Sequence, residues 1–467
     1  MIGLSLGEVA GVVRGDVSPG DADVLVEGPV VVDSRLAAPG GLFVALVGER
    51  VDGHAYVDAA RAAGAVATLA TRPVPGPHVV VDDAVIALGR LARAVVDRLA
   101  LAGDLQVVGL TGSSGKTGTK DLLAQVLATS GATVAPEGNF NNEIGLPLTA
   151  LTADGGTRYL VMEMGARGAG HIRYLAGITP PRVGLVLNVG AAHASEFGSL
   201  QDTARAKSEL VQALPDDRVG GVAVLNADDP LVVAMAQATG ARVVTFGVRA
   251  PADVRAQDVT LDPLGRARFT LVAGDARAGV SLQVHGGHQV SNALGAAAVA
   301  LEVGLDLPSV AAALSAATAR SRWRMEVTER PDGVTVVNDA YNANPDSMLA
   351  ALRTLQVMGR SGERRTWAVL GEMAELGPGG ASAHEDLGRA VSRLAVSRLV
   401  VIGSAAAGIH AGAVAAGSRD AALVDDVDAA LALLRDELRP GDVVLVKASR
   451  SVGLEKLAAA LLDGAAG

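Results

Sequence analysis

The run Thr111-Gly112-Ser113-Ser114-Gly115-Lys116-Thr117-Gly118 joins small, flexible residues to a lysine and a threonine. A turn of this kind lets backbone N–H groups approach phosphate oxygens, and a following helix start adds its positive end. In this reading Lys116 reaches the β- and γ-phosphates of a nucleotide, and the Thr117 hydroxyl is a hard oxygen ligand for Mg²⁺. Gly112 and Gly115 are closer together than the glycines of the common phosphate loop, so an ordinary Gly/Ser turn is the competing reading. The flanks favour the loop. Apolar Val107-Val108-Gly109-Leu110 predicts a strand before it, and Leu122, Leu123, Val126 and Leu127 fall on one helical face after it.

Other residues invite chemistry more weakly. Glu163 follows Tyr159-Leu160-Val161-Met162, at the carboxyl end of a predicted strand. In a parallel sheet that edge also carries the phosphate loop, which places Glu163 to hold Mg²⁺; a solvated strand-end carboxylate is the alternative. His193 follows Asn188-Val189-Gly190, but a lone histidine is usually structural. Lys207, in Thr203-Ala204-Arg205-Ala206-Lys207-Ser208-Glu209, reads by itself as an ordinary exposed lysine on a helix. The chain nevertheless writes positive charge as arginine. Of 40 basic residues only Lys116, Lys120, Lys207, Lys447 and Lys456 are lysine. Lysines that survive such a bias are candidates for places needing a compact ammonium or a deprotonatable amine, Lys116 and Lys207 first.

The elements that must position these groups follow from pattern. Among 467 residues, 49% are apolar and only 2% aromatic, so large cores are built from Ala, Val and Leu. Residues 1–104 form a first block of short strands, with Asp52-Gly53-His54, an Ala-rich helix from Tyr56 to Ala63 and another over Leu88–Leu99. Residues 105–320 alternate strands (Gln106–Leu110, Tyr159–Met162, Val183–Leu187, Val222–Leu225, Val243–Phe246) with helical segments, which predicts a mostly parallel sheet. Residues 321–467 repeat the style, with strands at Val334–Val337, Ala368–Leu370, Leu399–Ile402 and Val443–Val446. The fold class is therefore α/β in three domains, the third Rossmann-like but without a clean G-x-G-x-x-G. No membrane span and no signal peptide are expected. With no cysteine, disulfides and thiolate metal sites are excluded, and a net charge of −10 argues against nucleic acid as a partner.

Five separated motifs give the chain a resemblance along nearly its whole length to the Mur ligases of peptidoglycan synthesis: Thr111–Thr117; Gly138-Asn139-Phe140-Asn141-Asn142-Glu143-Ile144-Gly145-Leu146-Pro147; Glu163-Met164-Gly165-Ala166; Asn188–His193 followed by Ala206-Lys207; and Asn338-Asp339-Ala340-Tyr341-Asn342-Ala343-Asn344-Pro345. The resemblance implies an ATP-dependent amide ligase working through an acyl phosphate. It implies two Mg²⁺ ions held by Thr117, Glu163 and His193, with Lys207 carbamylated and also a metal ligand, and Lys116, Lys207 and His193 serving catalysis. It places adenine near His288 and Asn292, for which a helix cap is the competing role, and brings Arg324 and Asp339 onto phosphate and ribose. The second and fifth motifs resemble the member that adds D-alanyl-D-alanine to UDP-MurNAc-tripeptide, which makes these two the expected partners. The ligase of the preceding step, acting with a diamino acid, and a nucleotide switch without chemistry are the alternatives. Substrate contacts are implied for Ser34 and Arg35 of a UDP-sugar-binding first domain, for Asn139, Asn141 and Asn142, and for Tyr341, Asn342 and Asn344. A cytoplasmic monomer is expected.

Overall fold

The computed structural model describes residues 1–138, 140–190, 198–360 and 364–463. Asn139 and His193 lie outside the described residues.

Three larger sheets organise the chain, beside a two-stranded antiparallel one of Leu4–Ser5 and Leu25–Val26. The first has five short strands in the order Asp16–Val17, His78–Val80, Ala65–Ala70, Gly41–Val44, Val30–Val31, parallel except for the first pair. The expected helix after Tyr56 spans only Val57–Ala62, because the preceding Gly53–Tyr56 turn is 3₁₀ with Asp52 as its cap. The second helix is longer than expected, Ala84–Ala102, and starts where Asp83 accepts from the N–H groups of Val85 and Ile86. Its apolar face joins Leu146, Ile172, Leu175 and Ile178 of the next domain in one continuous core.

The central sheet has nine strands. Thr133–Val134, Tyr159–Glu163, Gln106–Thr111, Val183–Val186, Val222–Asn226 and Arg242–Gly247 run parallel in that order. Both faces are covered by helices, which is why these strands read as unbroken apolar runs. Beyond them lie Val254–Leu261, Arg266–Ala273 and Ala276–His285, the last two paired antiparallel. The third sheet orders Glu326–Glu329, Thr335–Asn338, Val443–Lys447, Thr366–Leu370, Arg398–Ile402 and Ala421–Val424; all but the first edge pairing are parallel. Its two faces bury separate cores, with the Trp367 ring in one and its Nε1 donating to Asp442 at 3.0 Å.

The topology sets the site. Parallel strands deliver their carboxyl ends to one edge, so Thr111, Glu163 and the segment after Val186 emerge together. The third sheet delivers Asn338 and Lys447 to its own carboxyl edge in the same way. No described helix is long and apolar enough to cross a membrane.

Candidate active site

The Gln106–Thr111 strand turns through Gly112–Gly115 into the helix Lys116–Ala128. Gly115 sits at φ +80°, and a Cβ there would lie 2.5 Å from the Asn292 carboxamide, so both backbone conformation and space require glycine. Asn188 fixes the loop from the neighbouring strand: its Oδ1 accepts the Ser114 N–H at 2.9 Å and its Nδ2 donates to the Ser114 carbonyl at 3.1 Å. Ser113 Oγ accepts the Gly190 N–H at 2.8 Å. The Lys116 ammonium bends back onto the Gly112 carbonyl at 2.8 Å. Burial lowers its pKa; Glu163 opposes that shift and the positive Arg324 adds to it.

Thr117 and Glu163 are brought together: the hydroxyl donates to Glu163 Oε2 at 3.0 Å. Asn141 Nδ2 holds the other carboxylate oxygen at 2.9 Å, so Glu163 is oriented from two sides. Its neighbour Asn142 is spent on structure, its Oδ1 capping the N–H groups of Ile144 and Gly145.

Lys207 corrects the reading of an exposed lysine. It lies on the Leu200–Gln212 helix but on the buried face, 4% exposed, with Thr203, Ala206, Leu210 and Val211. Desolvation drives its pKa well down, and the like charge of Lys116 pushes the same way. The two lysines therefore share one electrostatic neighbourhood, although they come from different elements.

The third domain reaches the same place. Gln125 exchanges hydrogen bonds with Thr318, and Asp121 accepts the Ser321 N–H at 3.1 Å, which staples the interdomain segment to the phosphate-loop helix. Arg324 follows, flanked by Trp323 at φ 58° and Met325 at φ 51°. Two non-glycine residues in the left-handed region, one on each side of Arg324, are strained, and such strain persists where surroundings impose it. Its outcome is that the Arg324 guanidinium lies 4.1 Å from the Tyr341 ring centroid and within electrostatic reach of Lys116. Tyr341 in turn feels Glu163; burial first, and then that carboxylate, raise its phenol pKa while Arg324 opposes.

Asn292 packs on Gly115 and Gly118 rather than capping its helix. His288 stands at the helix start without a capping hydrogen bond. Its ring is buried, Nδ1 has no hydrogen-bond partner among the described residues, and Asp339 and Lys447 act on it electrostatically. Asp339 accepts the Met325 N–H at 3.0 Å and pairs with Lys447 at 2.7 Å. Between these parts lies a cavity lined by Gly118, Leu122, His285, Gln289, Arg324 and Met325, beside the phosphate loop and shaped by both domains.

The remaining expected residues are more dispersed. Asn344 caps the Pro345–Arg360 helix, accepting the Ser347 N–H at 2.9 Å, and the Asn342 carbonyl accepts from Lys447 at 2.8 Å. Ser34 and Arg35 lie in a 3₁₀ turn of the first domain. The Arg35 side chain, 85% exposed, forks onto Asp33 and holds that carboxyl down at about 2. Three groups were missed by the sequence reading of the site: Asn188, Gln289 and Lys447. Asn188 and Lys447 carried a signal, one as the first residue of a motif and the other as a surviving lysine.

Comparison with known proteins gives this geometry its context. Three family descriptions match in order: "Mur ligase family, catalytic domain" over residues 29–95, "Mur ligase middle domain" over 110–300 and "Mur ligase, glutamate ligase domain" over 323–450. A curated protein of Mycobacterium bovis named UDP-N-acetylmuramoyl-tripeptide–D-alanyl-D-alanine ligase is 51% identical, across 99% of this chain and 98% of its own length. The chain belongs to the Mur ligase family. As an ATP-dependent ligase that forms an amide bond, this Mur ligase also matches solved relatives. A crystal structure of MurF from Acinetobacter baumannii superposes with a TM-score of 0.88 at 30% identity, covering 99% of both chains. MurF from Thermotoga maritima, crystallised with ADP, gives a TM-score of 0.80 at 30% identity, with 94% of this chain and 97% of that one covered.

Proposed function

We propose that this Mur ligase joins D-alanyl-D-alanine to UDP-N-acetylmuramoyl-tripeptide in the cytoplasm, at the expense of ATP. One observation carries the choice of substrates: identity of 51% along 99% of the chain to a protein bearing that name. Residues 1–104 grip the UDP-sugar, with Ser34 and Arg35 in contact; residues 105–320 hold ATP; residues 321–467 bring the amine.

The chemistry follows from the charges. The phosphates of ATP lie on the Gly112–Gly118 turn, with Lys116 turned from the Gly112 carbonyl to the β- and γ-phosphates. Arg324 sits across the same phosphates, and Asp339 and His288 line the nucleoside end with Asn292. Thr117 and Glu163 present a hydroxyl and an oriented carboxylate, the hard oxygen set that suits Mg²⁺. Magnesium, when bound there with His193 as a further ligand, spreads the negative charge of the β- and γ-phosphates. The terminal carboxylate of the tripeptide attacks the γ-phosphorus and ADP leaves. The amine of D-alanyl-D-alanine then adds to the acyl phosphate carbonyl, loses its proton, and phosphate departs with its bonding pair. The acyl phosphate must be kept from water, which the approach of the third domain to the phosphate loop accomplishes.

Lys207 serves as a carbamate in this proposal. Burial and the like charge of Lys116 disfavour its ammonium, and the neutral amine so favoured adds CO₂ to give a carbamate and a proton. The product is an anion with two oxygens, suited to a second Mg²⁺, where an ammonium is repelled. Arginine keeps its proton and has no such option.

The acceptor assignment is tested by comparing amines. D-Alanyl-D-alanine with the UDP-linked tripeptide should drive ADP release at least about 100-fold faster than a free diamino acid with the UDP-linked dipeptide, the scale set by a site matched to one substrate's polar groups. Faster reaction with the diamino acid would move the chain to the preceding ligation.

A further inference from the structure

We propose that Arg450 anchors the carboxylate of the incoming dipeptide, a role that rests on the acceptor being D-alanyl-D-alanine. The dipeptide enters with two charged ends. Its amine reacts; its carboxylate does not, and on entering a cleft it needs a fixed cation.

Arg324, Lys447 and Arg450 of the third domain bear on its Asp339–Asn344 loop. Arg324 lies against Tyr341 on the side that faces Lys116 and the phosphates. Lys447 is buried and already committed to Asp339 at 2.7 Å and to the Asn342 carbonyl at 2.8 Å. Arg450 is the third. It begins the short turn after the Val443–Lys447 strand, and Ser449 just before it donates to the Ala343 carbonyl at 3.5 Å. Its guanidinium carbon lies 4.2 Å from the centroid of the Trp323 ring, and Nη1 pairs with Glu455 at 2.8 Å. Trp323 accepts the Tyr341 N–H through its carbonyl at 3.1 Å, so the two arginine–aromatic stacks stand side by side.

This arrangement leaves Arg450 preorganised but not used up. Stacking fixes the plane of its fork, one ion pair fixes its rotation, and a guanidinium has five N–H donors. The side chain is 49% exposed, open to a ligand arriving from solvent. Two extended residues span about 7 Å. Tyr341 feels both Glu163 and Arg450, so a dipeptide laid along it with its amine toward Glu163 has the Trp323–Arg450 stack for its carboxylate. Arg450 is a binding and specificity residue here, with no part in the bond-forming steps.

The test pairs a variant with a modified ligand. The parent enzyme should prefer D-alanyl-D-alanine to D-alanyl-D-alaninamide by about 20-fold or more in kcat/KM, the scale of a charge-assisted hydrogen-bonded contact. Arg450→Gln should raise KM for the acid by a similar factor, leave KM for ATP unchanged, and bring the acid-to-amide ratio close to one. Arg450→Lys should recover part of the preference. Retention of the parent's acid preference by Arg450→Gln would overturn the assignment. Should that variant fail to fold, Glu455→Gln decides: with the pair that fixes its rotation lost, Arg450 should hold the carboxylate less well and the acid preference should fall, and an unchanged or stronger preference contradicts the proposal. A parent showing no dependence on the dipeptide at all would instead strike the acceptor reading itself, before Arg450 is reached.

Discussion

Lys116→Ala should lose about a thousandfold or more in turnover, roughly 4 kcal/mol of transition-state stabilisation, while melting near the parent temperature. Among the described residues the ammonium hydrogen-bonds to the Gly112 carbonyl, a contact worth about 1 kcal/mol to the fold. When phosphate replaces that carbonyl, the same charge opposes the negative charge gathering on the transferred group. Phosphoryl transfer leaves a protein little to do beyond positioning and neutralising charge, so deleting a positioned cation removes a large share of the effect. Steady-state ADP release and a melting curve on one preparation separate the two outcomes. Near-parent turnover would sink the assignment of Gly112–Gly118 to phosphate.

The second large effect is expected at Lys207. Lys207→Ala should be nearly inactive, and a short carboxylate in solution should restore part of the rate by filling the vacated space with an anion. Lys207→Arg should stay inactive although it keeps the charge. The physical reason is the environment seen in the fold: a side chain 4% exposed, beside the positive Lys116, has its ammonium disfavoured twice over. At 4 Å and an effective dielectric constant of 20, each additional positive charge raises that cost by about 4 kcal/mol. A carbamate reverses the sign. If Lys207→Arg works as well as the parent, the residue is a cation and the carbamate proposal falls, leaving the rest of the site untouched.

What the sequence disclosed depended on how locally each feature is encoded. The phosphate loop was legible because strand, turn, lysine and helix are contiguous, and Glu163 because a strand end is visible in its own apolar run. The nine strands expected in the two largest sheets end within a residue or two of where they are observed for the same reason, whereas the parallel edge strands Thr133–Val134 and Ala421–Val424 are not foreseen. The hairpin Arg266–Ala273 with Ala276–His285 was not foreseen, although Ala267, Phe269 and Leu271 alternate as a half-buried strand should. Lys207 reads as exposed because a charged side chain on a helix ordinarily faces solvent, yet the periodicity of its helix places it inward. It lies four residues from Thr203 and from Val211, on the buried stripe of its helix. The electrostatic influence of Arg324 on Lys116, and of Asp339 and Lys447 on His288, acts between segments distant in the chain. No local pattern encodes such proximity. The left-handed residues Trp323 and Met325 that turn Arg324 inward likewise carry no glycine to announce them.

The central claim is that ATP is cleaved here only to make an amide between two specific partners. Its most direct measurement is ADP and phosphate release with UDP-MurNAc-tripeptide and Mg²⁺, with and without D-alanyl-D-alanine. The account predicts sustained release only when tripeptide, dipeptide and metal are all present, with one ADP, one phosphate and one UDP-linked pentapeptide formed per cycle. Sustained ADP release without the dipeptide, or with it but without new amide, would contradict the account.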